Sequence, residues 1–276
     1  AALGTQYQER RLGPADLEPI LDEIGRHMSE PLADSSLVAT WMLMAMVREA
    51  GVKCVLSGDG ADESFAGYPT YLAHRIAPLA RPAAGLLGRI VRRLPTRHEG
   101  VTADYMARRF AEGLPLTWAH RHQHWMGAWA SGDLQPSPDL GAIVDRHAAL
   151  AHAADPVSRA MFLDQRMYLP DGVLVKVDRA SMAHGVEVRS PFLDHSIVEL
   201  AASIPAGHKL QGRTGKIVLK RAVADLLPSE TVGRKKKGFG TPVGPWLRGP
   251  CAHLLDGLPD ALADLIPRDT LARVIR

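Results

Sequence analysis

Cysteine is nearly absent from this chain, with two in 276 residues, Cys54 and Cys251. Two thiols cannot build a disulfide framework, and their scarcity fits a reducing compartment, so the expected location is cytoplasmic. Charge of one sign is also lacking. The 33 basic and 30 acidic side chains leave a net charge of only +3. That excess is too small to mark a nucleic-acid partner, and aromatics at 5% leave few platforms for stacked bases. No apolar run spans a bilayer. The longest is Leu37 to Val47, broken by Thr40, whereas about 20 residues are needed. No secretory signal, repeat or low-complexity segment is visible. An initiating methionine is missing too, and the expectation is one domain over 1–276 that is incomplete at its amino end.

What is present reads as a globular core, with 46% hydrophobic and 23% charged residues. The pattern is mostly helical. Leu17, Ile20, Leu21 and Ile24 recur at helical spacing after Gly13-Pro14. Ser35 or Ser36 is a candidate cap for a second helix through Trp41 to Val47. The short run Val52 to Leu56, between Gly51 and Ser57-Gly58, reads as a strand inside a parallel sheet because helices flank it. Tyr7 to Leu12 is a weaker strand candidate, and nothing beyond Pro69 reads as a strand. Asp155-Pro156 opens a helix. Further helices are expected over 173–183, 196–202, 216–227 and 267–276, with a short one near Trp246. The expected class is α/β with a large helical part.

Three stretches can carry chemistry. The first runs from Leu56 to Tyr68, where the strand enters a loop holding Gly58, Gly60, Gly67 and the acids Asp59, Asp62 and Glu63. Glycines let backbone N–H groups approach a phosphate, and carboxylates beside phosphates point to Mg²⁺. A plain strand–helix turn with solvated acids is the competing reading. The second runs from Asp178 to His195, where Arg179 and Arg189 could hold a carboxylate or simply pair within a helix end. The third, Arg234-Lys235-Lys236-Lys237-Gly238-Phe239-Gly240, is either a solvated basic loop or a source of a lysine for a phosphate. His120, His122 and His124 alternate at spacing two and would not share one helix face, which argues against a metal site. Asp34-Ser35-Ser36 lacks the glycines of a phosphate loop and reads as a helix cap.

Taken together and in order, these stretches resemble the synthetase domain of the glutamine-dependent asparagine synthetase family. The likeness rests on Ser57-Gly58-Asp59-Gly60-Ala61-Asp62-Glu63, on Val177 to Ala183 running into Glu187 to His195, and on Lys235 to Gly240. Glu30 to Asp34 adds a further segment. The resemblance implies an α/β core like that of the adenine-nucleotide α-hydrolases, here a partial parallel sheet. It implies two steps. Mg-ATP adenylates a carboxylate, by default that of aspartate, and releases pyrophosphate. Ammonia then displaces AMP to give the amide. It further implies ATP and Mg²⁺ as cofactors, a glutaminase domain upstream or in trans, and room for a homodimer. Neither nucleic acid nor membrane is implied as a partner.

Residue by residue, Ser57 and Gly58 match positions lining the nucleotide, and Asp62 matches a metal or pyrophosphate-side aspartate. Asp59 matches an acidic position suited to accepting a proton in the second step, and Lys236 the loop lysine that stabilises the transition state. Lys216 is a second lysine for pyrophosphate, while Asp178, Arg179 and Glu187 are expected to shape the substrate side. The chain departs from the family in lacking its Ser-Gly-Gly-x-Asp-Ser-Ser phosphate loop, and in carrying Ala66 where a glycine is commoner. Relatives that close β-lactams, cyclise peptides or amidate other carboxylates share these motifs. A non-catalytic remnant of the fold and a basic nucleic-acid binder are the readings from other classes.

Overall fold

In this computed structural model the structure describes residues 4–93, 102–127, 138–234 and 238–262, together with 264, 266 and 269. The first helix, α1 (Leu17–His27), buries Leu17 completely and turns Ile20 and Ile24 onto the second, α2 (Ser36–Glu49). The inward face of α2 carries Leu37, Val38, Trp41 and Met44. Its start is fixed by Asp34 rather than by a serine hydroxyl: the Ser36 N–H donates to Asp34 Oδ1 at 2.9 Å. Gly51, at a left-handed φ of +74°, turns the chain from α2 into β1 (Cys54–Leu56).

The helices α3 (Ala61–Phe65), α4 (Pro69–Ala80), α5 (Ala84–Val91), α6 (Ala103–Gly113), α7 (Trp118–Met126), α8 (Pro138–Ala149) and α9 (Pro156–Leu163) follow. Asp155 caps α9 as expected, accepting from the Val157 and Ser158 N–H groups at 2.9 and 3.0 Å. The chain then widens into a π-helical stretch, Asp164–Leu174, before tightening into α10 (Val175–Ala183). Pro170 sits inside the wide stretch. It brings no N–H and its ring would strike the carbonyl of an ordinary turn, which a wider turn avoids. The helix expected over 173–183 is thus the narrow end of a longer, irregular element.

Next comes β2 (Glu187–Arg189), which the sequence reading did not anticipate. It has a single apolar residue, Val188, between two charges, so it carries none of the signal of a buried strand. It pairs with β1 in parallel, Cys54 with Glu187, Val55 with Val188 and Leu56 with Arg189. The helices α11 (His195–Ser203), α12 (Ala206–Lys209), α13 (Ile217–Ala222), α14 (Ser229–Gly233), α15 (Val243–Leu247) and α16 (Leu258–Ala261) complete the described elements. The helix expected over 216–227 is shorter than predicted, because Lys216 has a left-handed φ of +56° and only Ile217–Ala222 is helical. The expected strand over Tyr7 to Leu12 is not formed. Residues 4–11 are exposed, so no buried face fixes a pairing register there. The helix expected over 267–276 lies outside the described residues.

One face of the β1–β2 pair is packed. Val55 and Val188 lie against a core of Leu37, Trp41, Met44, Ala180 and Val186. The other face carries Cys54, Leu56, Glu187 and Arg189, all exposed, with Leu56 at 76%. Parallel strands are normally covered on both faces. A second core in the helical half gathers Ala66, Tyr71, Val157, Ala160, Met161 and Leu210. Among the described residues no helix is long and apolar enough to cross a membrane.

A buried ion pair ties α2 to α10. Lys176 Nζ lies 2.7 Å from Asp34 Oδ2 and donates to Ser36 Oγ at 2.7 Å. Burial alone would raise the Asp34 carboxyl, but the Lys176 ammonium and Ser36 outweigh it and hold the group below its ordinary value. A lowered folded value means stability that is full above the unfolded carboxyl's value near ~4 and lost as pH falls through the folded one. Lys176→Ala is therefore expected to cost about 2 kcal/mol at pH 7, less than a fully buried pair because Asp34 is partly exposed. Urea unfolding at pH 7 and at pH 3 should show that deficit shrinking in acid.

Candidate active site

The two strands point their carboxyl ends the same way, which is where ligands bind in parallel α/β sheets. Past β1, the Ser57 N–H still donates to the Arg189 carbonyl at 2.8 Å. Past β2, Ser190 meets Ser57, hydroxyl to hydroxyl, at 2.6 Å. The loop then turns at Gly60, whose φ is +83°. A Cβ there would come 2.2 Å from Leu193 Cδ2, so this glycine is required both by conformation and by close approach. Between Ser57 and Gly60, Gly58 is exposed with open space around it. Asp59 is half-buried, and its carboxylate takes no hydrogen bond or ion pair among the described residues.

Asp62 follows in the first turn of α3. Lys216 reaches it from a distant part of the chain, Nζ to Oδ1 at 2.9 Å, with both side chains largely shielded. Backbone contacts set this up. The Lys216 N–H donates to the Phe65 carbonyl at 3.0 Å. Gly215 crosses Ala66 so closely that a Cβ would lie 2.1 Å from the Ala66 carbonyl oxygen. A Cβ on Gly67 would lie 1.7 Å from Asp62 Oδ1 and 2.5 Å from Lys216 Cε. These glycines form the cradle in which the lysine stem and the carboxylate lie side by side. Ala66 itself adopts a left-handed φ of +57°, the conformation a glycine would take at that place without steric cost.

Behind Asp62 stands a polar column. The Tyr68 hydroxyl donates to Glu63 Oε1 at 2.6 Å, and Gln165 Nε2 donates to the Glu63 carbonyl at 3.3 Å. Burial raises the Glu63 carboxyl against the opposing Tyr68 bond. Burial, then the Glu63 charge, pushes the Tyr68 phenol far above its ordinary value. Tyr68 packs edge-on against Tyr168, 5.9 Å between ring centres. The Tyr168 phenol is pushed up to about 12, first by burial and then by Asp34, Asp164, Glu63 and Asp62. Deeper still, Asp164 accepts from the Tyr71 hydroxyl at 2.6 Å and pairs with His122 Nε2 at 2.8 Å. His122 Nδ1 in turn meets His74 Nε2 at 3.0 Å. Burial, then His122 and Arg121, depress His74 to about 2, so it is neutral. The His74–His122 contact then carries a single proton, and Asp164 accepts from His122 Nε2.

Of the residues singled out from sequence, Ser57, Gly58, Asp59, Asp62 and Lys216 lie along the Ser57–Gly67 loop and the Gly215 crossing. Asp178 and Arg179 are exposed on α10, 4.0 Å from one another, and no hydrogen bond or ion pair joins them to that loop among the described residues. Glu187 is exposed at the start of β2 and pairs with Arg189. Lys236, with its neighbours 235 and 237, lies outside the described residues. The three alternating histidines diverge, as their spacing requires. His120 pairs with Asp145 at 2.9 Å, His122 with Asp164, and His124 Nε2 lies 3.5 Å from Glu112. Ser190, Gly215 and the Glu63–Tyr68 pair were not assigned roles from sequence. Ser190 and Glu63 sat inside quoted motifs, whereas nothing in the local sequence marks Gly215 as a crossing point.

Comparison with known proteins accords with this geometry. The sequence model of the asparagine synthase family matches residues 1–275. A protein of Mycobacterium tuberculosis provisionally named a glutamine-hydrolyzing asparagine synthetase is 31% identical over 90% of this chain and 38% of its own length. Glutamine-hydrolyzing asparagine synthetase 1 of Bacillus subtilis is 25% identical over 90% of the chain and 40% of its own length. Amidase chyE of Penicillium rubens is 26% identical over 81% of the chain and 37% of its own length. The chain thus spans about 38 to 40% of the length of these two asparagine synthetases. With the family model covering nearly all of it, the chain belongs to the asparagine synthase family.

Proposed function

We propose that this chain contributes the synthetase site of an ATP-dependent amide-forming ligase, with aspartate as the default acceptor. The observation that carries the reading is the Asp62–Lys216 pair, held in a glycine cradle beyond the carboxyl ends of two parallel strands. The Lys216 ammonium lies 2.9 Å from Asp62 Oδ1, so any Mg²⁺ held by Asp62 would have that cation as a neighbour. The motif assigns Asp62 to Mg²⁺ in its usual mode, in which one or two carboxylates and substrate phosphates share the ion. Among the described residues no cluster of three or more metal-type side chains offers a self-sufficient cage. When bound, the ion would neutralise charge on the leaving pyrophosphate.

The chain's own groups have separable tasks. Ser57, Gly58 and Gly60 form the turn along which a nucleotide lies. Lys216 presents a point charge to pyrophosphate while its left-handed backbone and the Phe65 carbonyl keep it from swinging away. In the first step a carboxylate oxygen of the acceptor bonds to the α-phosphorus and the bond to pyrophosphate breaks. In the second, ammonia adds to the acyl carbon, AMP departs, and Asp59 accepts the surplus proton, which its unpaired carboxylate leaves it able to do. Lys236 is assigned to the transition state by its motif, and Asp178, Arg179 and Glu187 to the substrate side in the same way. The bare face of β1 and β2 supports the reading that further strands or a helix cover the sheet, as an upstream segment or in trans. A glutaminase domain as the ammonia source and a homodimer belong to the same proposal, as does a cytoplasmic setting, consistent with two free cysteines.

The test is carboxylate-dependent exchange of labelled pyrophosphate into ATP by the full-length protein. Asp62→Asn and Lys216→Ala should each lower exchange roughly a hundredfold with the circular dichroism spectrum unchanged. Exchange that persists in both variants would sink the assignment. Exchange supported by another carboxylate but not by aspartate would move it to a different acceptor. The cradle itself has a separate check. Gly215→Ala should destabilise the chain by about 2 kcal/mol, because the intruding Cβ meets backbone. Gly207→Ala, in open space, should be neutral or better in the same urea titration.

A further inference from the structure

A cavity lies in the helical half, behind the Asp62 loop. It encloses about 310 Å³ between α7, α8 and the start of the π-helical stretch. Its wall is largely apolar and polarisable, with Met126, Leu140, Met167 and Tyr168, and it also carries His122, already paired with Asp164, and Gln123. Two carboxylates face it. Asp164, 1% exposed, lines it from within, and Asp171 is an exposed residue of its lining. None of the described residues lining it is a lysine or arginine.

We propose that this cavity binds a small organic cation, a primary ammonium on a short alkyl chain. The volume stands at the lower end of small-molecule sites, which suits a ligand of a few heavy atoms. Thioether, aliphatic and aromatic walls accept the alkyl part. The face of Tyr168 and the two carboxylates attract the charged end. Asp164 remains available although it is already hydrogen-bonded. Tyr71 and His122 each donate to one of its oxygens, and a carboxylate oxygen carries a further lone pair. The same two donors hold it in place. An anionic ligand would meet two like charges, and a neutral one would leave the exposed Asp171 carboxylate without an ion-pair partner. Through Tyr168 the cavity abuts Tyr68, and through Tyr68 the Glu63 carboxyl beside Asp62, so a bound cation would sit directly behind the candidate ligase loop.

This inference does not rest on the ligase reading, and its test uses no nucleotide. The full chain, labelled with carbon-13 at its methionine methyl groups, is titrated with n-butylammonium chloride and, separately, with n-butanol. The expected result is saturable shifts confined to Met126 and Met167 with the ammonium, and much weaker ones with the alcohol. Asp171→Asn should weaken ammonium binding roughly tenfold, and Leu140→Trp, which fills the space, should abolish it, while the other methionine signals stay put as a check on folding. Equal responses to ammonium and alcohol would overturn the proposal, leaving an apolar cavity only. So would an absence of saturable shifts at those two methionines, or an affinity that Asp171→Asn leaves unchanged.

Discussion

The site depends on one close approach of backbone to backbone, Gly215 against the Ala66 carbonyl. A Cβ at Gly215 would lie 2.1 Å from the Ala66 carbonyl oxygen, so a side chain there would push the two segments apart. With them together, Lys216 takes its left-handed backbone, bonds the Phe65 carbonyl and lays its stem across Gly67 onto Asp62. The strained φ of +56° at a lysine and of +57° at Ala66 is tolerated because the surrounding contacts leave no alternative. Such strain at adjoining segments is the mark of a site whose geometry is held by its frame rather than chosen by its side chains.

That frame has two supports. On the strand side, the Ser57–Ser190 hydroxyl contact and the packing of Leu193 over Gly60 lock the loop to the end of β2. On the helical side, Glu63 anchors the first turn of α3 to Tyr68 and Gln165, and the column continues through Tyr168 to Asp164, His122 and His74. Each buried polar atom along it is expensive to leave unpaired, so the column specifies one arrangement of α4, α7 and the π-helical stretch. The Asp34–Lys176–Ser36 cluster does the same between α2 and α10. The candidate ligase loop therefore rests on polar locks at its back as well as on apolar cores at its sides.

How far the sequence disclosed this can be read from particular residues. α1, α2 and β1 were legible, because Leu17, Ile20 and Ile24 keep helical spacing and the run up to Leu56 ends in a glycine turn. Ser57 to Asp62 was legible as a glycine turn with acids between a strand and a helix, which is where the structure puts it. β2 was not, because three residues with charges at both ends look like a turn until their partner is known. Tyr7 to Leu12 misled in the opposite direction, a weak strand candidate where no partner strand exists among the described residues. The Gly215 crossing and the column from Glu63 to His74 join residues far apart in the chain. Their chemistry is set by contact, which local pattern does not encode. Asp178 and Arg179 illustrate the converse, conspicuous in sequence yet exposed on α10.

The uncovered face of the β1–β2 pair has a practical corollary. It presents Leu56 and the thiol of Cys54 side by side, on a sheet that has only two strands among the described residues. Bare strand edges recruit other strands, and a thiol among them can then be oxidised into a cross-link between molecules. Cys251, buried against Pro14 and the first helix, is spared. The chain thus carries its own chemical gauge of assembly. A thiol reagent that labels Cys54 and not Cys251 reports a naked sheet, and protection of Cys54 reports that the sheet has found its cover.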